Sequence, residues 1–196
     1  YWTTIWESRC EMRAYKGFHK DLNCTMGKGV FYYEPGKWYS EQEARCADTG
    51  FHATDNPLEV LRWYSGEDDR YFAVELRGNI DEDGYGSRIA APEIMLVKEL
   101  TIDDLYRLGV LWMSKHPKSE LAAAVMVESG EAYRNGNVIV RGKNPRARGK
   151  AGDNLYIVRD DGDGDIVEIG AFKVDGIKIL PDVYYDAKGR RVNEKK

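Results

Sequence analysis

From Ser119 onward the sequence is cut by glycine-bearing turns at intervals of about ten residues. The stretch reads SELAAAVMVESGEAYRNGNVIVRGKNPRARGKAGDNLYIV. The apolar runs between the turns are strand-length, too short for stable helices. Such a texture fits a β-meander or the rungs of a small β-solenoid. One segment, ELAAAVMVE, also suits a helix, because alanine favours that state. Beyond it, LYIV, IVEIGAFKV and IKIL predict a three-stranded meander. DDGDG and Asp175-Gly176 form its turns. The polar tail KGRRVNEKK is expected to fray.

The first part of the chain is more mixed. MRAYKGF predicts a strand ending at Gly17, and VFYYE another, stopped by Pro35-Gly36. Ser40 and Glu43 have the spacing of a capping box, which predicts a short helix ending before Gly50. Asp55 or Asn56 then caps a second helix with Pro57 in its first turn. In RYFAVELRGNI, Phe72, Val74 and Leu76 alternate with Ala73, Glu75 and Arg77, as in a half-buried strand. IAAPEIMLVKEL reads as a further buried strand with Pro92 near its start. Thr101 and Asp104 form another capping box, heading a helix whose buried face carries Leu105, Leu108, Leu111 and Trp112. Pro117 ends it. The expected fold class is therefore α+β. Residues 1–11 form an N-terminal extension, with Met12 as the natural start. Residues 12–116 form a mixed, strand-rich domain with two or three helices. Residues 117–196 form a small all-β, meander or solenoid-like segment with a polar tail.

Composition sets the outer bounds. The chain has 196 residues, 42% hydrophobic and 32% charged, a balance suited to a folded domain. A net charge of −4 argues against general coating of nucleic acid. The three cysteines, Cys10, Cys24 and Cys46, are an odd, unpaired set, which points to a reducing, cytoplasmic setting. No run of about 18 apolar residues is present, so no membrane partner is expected.

Candidate site residues follow from local chemistry. His52, between two small-residue turns in TGFHATDNPLEVLRWY, is either a general base or a residue that bonds the backbone of its turn. Cys24, Cys46, His52 and His19 match no compact zinc module, and no metal is expected. Asp161, Asp163 and Asp165 lack the glycine and glutamate of a calcium loop and read as an acidic hairpin turn. Arg141, Lys143, Arg146, Arg148 and Lys150 form a local basic run. They are candidates for contact with nucleic acid or an acidic protein surface, or for a charged edge that discourages strand pairing.

Two resemblances add to this. AYKGFHKDLNC, EPGKWY, CADTGFHATDNPLEVLRWY and RYFAVELRGNID, with the closing LYIVRDDGDGDIVEIGAFKVDGIKILPDVYY, resemble an uncharacterised domain of phage and prophage proteins over residues 12–186. That resemblance implies a phage-encoded accessory protein, acting in the bacterial cytoplasm on a host protein or nucleic acid, as in anti-defence or host takeover. It implies no cofactor. Tyr15-Lys16-Gly17, then GFHAT before a helix, then a strand bearing a glutamate, resembles the order of elements in ADP-ribosyltransferases. This implies an NAD-consuming enzyme using Tyr15, His52, Thr54 and Glu75 or Glu93, with Lys16 as a binding residue. Lys16 stands where that family has His or Arg, and its late ExE or QxE pattern is missing. A third expectation, from the rung texture, is a virion or structural component.

Overall fold

The computed structural model describes residues 11–25, 29–84 and 87–193. The proposed N-terminal extension, save Glu11, and Cys10 lie outside these residues. The chain divides into two compact units, one ending at Leu100 and one beginning at Thr101. The helix headed by Thr101, assigned from sequence to the first domain, thus belongs to the second unit.

The first unit is built on one antiparallel sheet. Its strands are β1 (Glu11–Phe18), β4 (Trp38–Ser40), β5 (Phe51–Thr54), β6 (Arg70–Arg77), β7 (Asp81–Glu82), β8 (Arg88–Ala91) and β9 (Glu93–Leu100). A separate small hairpin pairs β2 (Asn23–Cys24) with β3 (Phe31–Tyr32). The spatial order of the large sheet is β4-β9-β6-β1-β5-β8-β7. Phe72, Val74, Leu76, Ile94 and Leu96 are buried on one face of β6 and β9. Their alternation with half-buried Glu75 and Arg77 sets the register, since a slip of one residue would expose the whole set. Pro92 divides what reads in sequence as one strand. Its two halves, β8 and β9, sit on opposite sides of β1 in the sheet.

The second unit stacks its strands as rungs: β10 (Val125–Glu131), β11 (Asn137–Arg148), β12 (Asn154–Asp160) and β13 (Ile166–Lys173). β10 with β11, and β11 with β12, are parallel, while β12 and β13 form an antiparallel hairpin. Flat parallel neighbours need a long crossover, yet the links here, 132–136 and 149–153, are short. A bend within the rungs resolves this. The register of β10 on β11 shifts between Val127 and Ser129, so Val125–Val127 lie beside Ile139–Arg141 and Ser129–Glu131 beside Arg146–Arg148. Glu128 holds the corner with φ 62°, and its carboxylate accepts the N–H groups of Lys143 and Asn144 at 2.7 and 3.0 Å. At the turns, Asn154 donates its side-chain amide to Asn137 at 3.1 Å, rung to rung. Val138, Val140, Ala147, Leu155 and Ile157 form the core with Val174, Ile179, Tyr185 and Ala187 of the C-terminal segment.

The helix α1 (Ile102–Lys115) packs on β11. Thr101 and Asp104 form the expected capping box. The buried face differs in part: Leu105 is buried, with Tyr106, Val110 and Met113, whereas Leu111 is half exposed.

The α+β expectation is corrected. Among the described residues α1 is the one helix of seven residues or more, and the molecule is mostly β. Glu41 to Gly50, expected as a helix capped by Ser40 and Glu43, is a loop: Ser40 pairs with Glu93 of β9, and Glu41 Oε2 accepts the Gly50 N–H. The segment at Pro57 is a short 3-10 helix, Pro57–Arg62, capped by Asn56 as expected. ELAAAVMVE is not a helix: Ala123 and Ala124 form a turn, and Val125 onward begins β10, paired in parallel with β11. IKIL is not a strand: the Asp175 carboxylate accepts the N–H groups of Ile177, Lys178 and Ile179, folding that segment into a tight turn.

Candidate functional site

The most distinctive local feature of the first unit is a divergence of strands. β1 pairs with β6 along its whole length, from Glu11 to Phe18. On its other side it pairs with β5 only at Tyr15 opposite Thr54. Beyond that point the two strands separate, and a cavity of about 590 Å³ opens beside Lys16 and Gly17. Phe31, Tyr33, Phe51, Trp63 and Tyr64 supply aromatic walls, and Glu41, Thr49, His52 and Arg88 supply polar groups. The volume falls in the range of small-molecule sites.

Gly17 is required where the cleft begins. A Cβ there would stand 2.5 Å from ring carbons of Tyr64, so only glycine lets that ring lie against β1. Tyr33 packs edge-on against Phe18 (5.0 Å), Phe31 (4.7 Å) and Tyr39 (5.3 Å), which fixes the opposite wall. Burial, reinforced by the neighbouring Cys24 thiol, pushes the phenol pKa values of Tyr33 and Tyr64 up, so both stay neutral donors.

His52 binds the loop beside it. Its Nε2 accepts the backbone N–H of Ala47 at 2.9 Å, which places the proton of the neutral ring on Nδ1. Ala47 sits at φ 65°, a left-handed conformation unusual for alanine, and the histidine bond helps to hold it. Burial, with Lys16 and Arg88 nearby, lowers the His52 pKa. The Lys16 ammonium crosses the split and donates to the His52 carbonyl oxygen at 2.6 Å. Thr54 donates its hydroxyl to the Asn56 carbonyl at 2.9 Å, fixing the chain entry to the 3-10 helix. Glu41 Oε2 accepts the Gly50 N–H at 3.0 Å.

Tyr15, Lys16, His52 and Thr54, which the sequence singles out, all line this cavity. Glu75 and Glu93 do not. Both lie on β6 and β9 with Arg77: Glu75 is 3.6 Å from it, and Glu93 is its register partner. The carboxylates of the cavity wall are Glu41 and Asp48, and Glu41 is the one bonded to Gly50. Sequence reasoning missed it by placing it in a helix. The aromatic wall was foreshadowed by the VFYY run, but not its partners Trp63 and Tyr64.

The basic run is largely engaged within its own unit. Arg141 is buried, paired with Asp160 at 3.0 Å and bonded to the Pro117 and Gly164 carbonyls, both at 2.7 Å. Arg148 pairs with Glu131 at 3.0 Å and Lys150 with Asp182 at 2.5 Å. Arg146 bonds Ser129 and the Asn193 carbonyl and lies 4.8 Å from the Tyr184 ring centre. Lys143 runs beside Gly162. Cys24 and Cys46 share no centre among the described residues. Cys24 directs its thiol to the Gly17 carbonyl, and Cys46 to that of Asp81. Burial, then Asp83 and Asp81, pushes the Cys46 thiol up. Among the described residues no three His, Cys, Asp or Glu side chains are grouped to hold a metal. Asp161 accepts the N–H groups of Asp163 and Asp165 in the β12–β13 turn. Among the described residues no helix is long and apolar enough to cross a membrane.

The first unit is thus a strand-rich domain with an aromatic cleft opened inside its sheet. A domain of unknown function, DUF7666, is found over residues 12–108, from β1 through the first half of α1. No curated protein and no solved structure matches the chain.

Proposed function

We propose that the first unit binds a small molecule carrying a flat heteroaromatic ring, of the nucleoside or nucleotide class, in the cleft between β1 and β5. One observation carries this reading: a cavity of about 590 Å³ walled by Phe31, Tyr33, Phe51, Trp63 and Tyr64, with polar groups at a few points. Rings stack on rings with a gain of about 1–3 kcal/mol per base, and the scattered polar groups orient the ligand. Titration of the whole protein with adenosine, AMP and NAD, followed by tryptophan fluorescence, tests it. Binding weakened about ten-fold or more by Trp63→Ala supports the reading. The absence of binding by all three ligands sinks it.

A second reading, NAD-consuming ADP-ribosyl transfer, is favoured by one feature, the Glu41 carboxylate on the same cavity wall as His52. In that chemistry a carboxylate steadies the cationic ribose as nicotinamide leaves. Glu41 would take the role first sought at Glu75 or Glu93. Incubation with NAD and a bacterial lysate, followed by mass spectrometry for ADP-ribose, tests it. A mark lost in Glu41→Gln but kept in Glu75→Gln and Glu93→Gln supports it; no mark removes it. The broader proposal of a phage-encoded accessory protein acting on a host protein or nucleic acid rests on the phage resemblance. The same lysate tests it by stoichiometric capture of a partner.

A further inference from the structure

Lys16 is the most anomalous polar group at the cleft. It is 8% exposed, yet it sits mid-strand on β1 at the cavity wall. An ammonium has three donors. One donates to the His52 carbonyl at 2.6 Å. No carboxylate forms an ion pair with it among the described residues. Its other neighbours are the rings of Phe18 and Tyr33, centred 5.6 and 5.8 Å from Nζ. Ring faces attract a cation, but they do not replace a counter-ion for a buried charge. A second unmet group lines the same cavity: Thr49 Oγ1 is buried and has no hydrogen-bond partner. Arg88, also on the wall, is paired with Asp83, and the Glu41 and Asp48 carboxylates of the same wall form no ion pair with Lys16 among the described residues.

The pattern is opposite to that of another buried cation, Arg141, which has a carboxylate and two carbonyls around it. A buried positive charge without a protein counter-ion, facing a cavity, has its counter-ion outside the chain. We infer that Lys16 is an anion subsite, and that the cleft takes a ring-bearing ligand with an oxyanion, a phosphate monoester of the nucleoside monophosphate type. The phosphate oxygens accept the two free Nζ–H donors, and the Thr49 hydroxyl meets a polar group of the same ligand. The ring lies against the aromatic wall. This rests on the ring-ligand reading above and deepens it.

The test compares AMP with adenosine on the whole protein, followed by tryptophan fluorescence and calorimetry. The expected result is AMP binding about ten-fold or more tighter than adenosine, the worth of a charge-assisted hydrogen bond. That preference weakens as salt rises. Lys16→Met, similar in length but uncharged, should erase the preference by weakening AMP about ten-fold more than adenosine, and Lys16→Arg should keep part of it. Thr49→Val should weaken AMP by a smaller factor. Equal binding of AMP and adenosine by the unmodified protein overturns the inference but leaves the ring-ligand reading standing, and needs no variant to fold. A preference for AMP that survives in Lys16→Met also overturns it. Binding of neither compound overturns both readings together.

Discussion

The two units differ in how fully some of their buried polar groups are met. In the second unit they are satisfied from within. Asn137 is bonded to Asp103 and to Asn154, Glu128 closes the corner of the rungs, and Arg141 has three bonds, with only its Nη1 lacking a partner. In the first unit, Lys16 and Thr49 face a cavity with donors to spare. Polar networks complete in themselves rigidify a fold. Polar groups left incomplete at a cavity are a cost to stability that a bound ligand removes. The contrast fits scaffold work in the rungs and the proposed binding in the split sheet.

Four substitutions or conditions would break or sharpen this contrast. The largest effect is expected at Arg141. Arg141→Ala strands the Asp160 carboxylate and two carbonyls, and should cost the second unit about 3–5 kcal/mol in denaturant unfolding. A loss below about 1 kcal/mol would show that the rungs do not depend on that network. Next is Gly17→Ala. Its Cβ meets the Tyr64 ring at 2.5 Å, so the ring must move into the cleft, at a cost of about 1–3 kcal/mol and with weaker AMP binding. Unchanged stability and binding would mean that the wall of the cleft is softer than it looks.

A smaller effect is expected from pH. The His52 pKa is lowered in the folded protein from its ordinary 6.5, first by burial and then by Lys16 and Arg88. The unfolded chain therefore takes up a proton before the folded one as pH falls. Above 6.5 the ring is neutral in both states and contributes no pH dependence. Stability should drop as pH falls below 6.5 towards the lowered value, and level off beneath it. Protonation also removes Nε2 as acceptor for Ala47. His52→Gln, which keeps an acceptor but does not titrate, should flatten the stability curve between pH 7 and pH 5. An unchanged slope would place the titration elsewhere.

The smallest change in stability is expected at Lys16. Without a carboxylate partner the ammonium contributes little to folding, so Lys16→Met should shift unfolding by about 1 kcal/mol or less, in either direction. A loss comparable to that of Arg141→Ala would make Lys16 a structural tie across the split rather than a ligand group.

Several features were legible before any coordinates. The alternation in RYFAVELR becomes β6, the capping box at Thr101 heads α1, and Asn56-Pro57 starts the 3-10 helix. Each signal lies within eight residues or fewer, the range over which propensity and capping act. The Ser40 and Glu43 pattern has the same form and fails, because Glu41 is drawn to Gly50 and Trp38–Ser40 pair with β9. ELAAAVMVE also fails as a helix, because Val125–Val127 pair in parallel with β11 and the alanines before them turn.

What the sequence by itself determined is therefore local: where strands and caps begin, that turns divide the second half into rungs, and which residues of β1 and β5 merit attention. Only the tertiary structure decided that β1 and β5 part after one pair, that Pro92 sends β8 and β9 to opposite sides of the sheet, and that Glu41 rather than Glu75 or Glu93 reaches the cleft. It also decided that Arg141 pairs with Asp160, while among the described residues no carboxylate pairs with Lys16. The physical reason is range. Lys16 meets His52 across 36 positions and Arg141 meets Asp160 across 19. Whether a buried charge is answered is set by packing at that distance, which no spacing along the chain encodes.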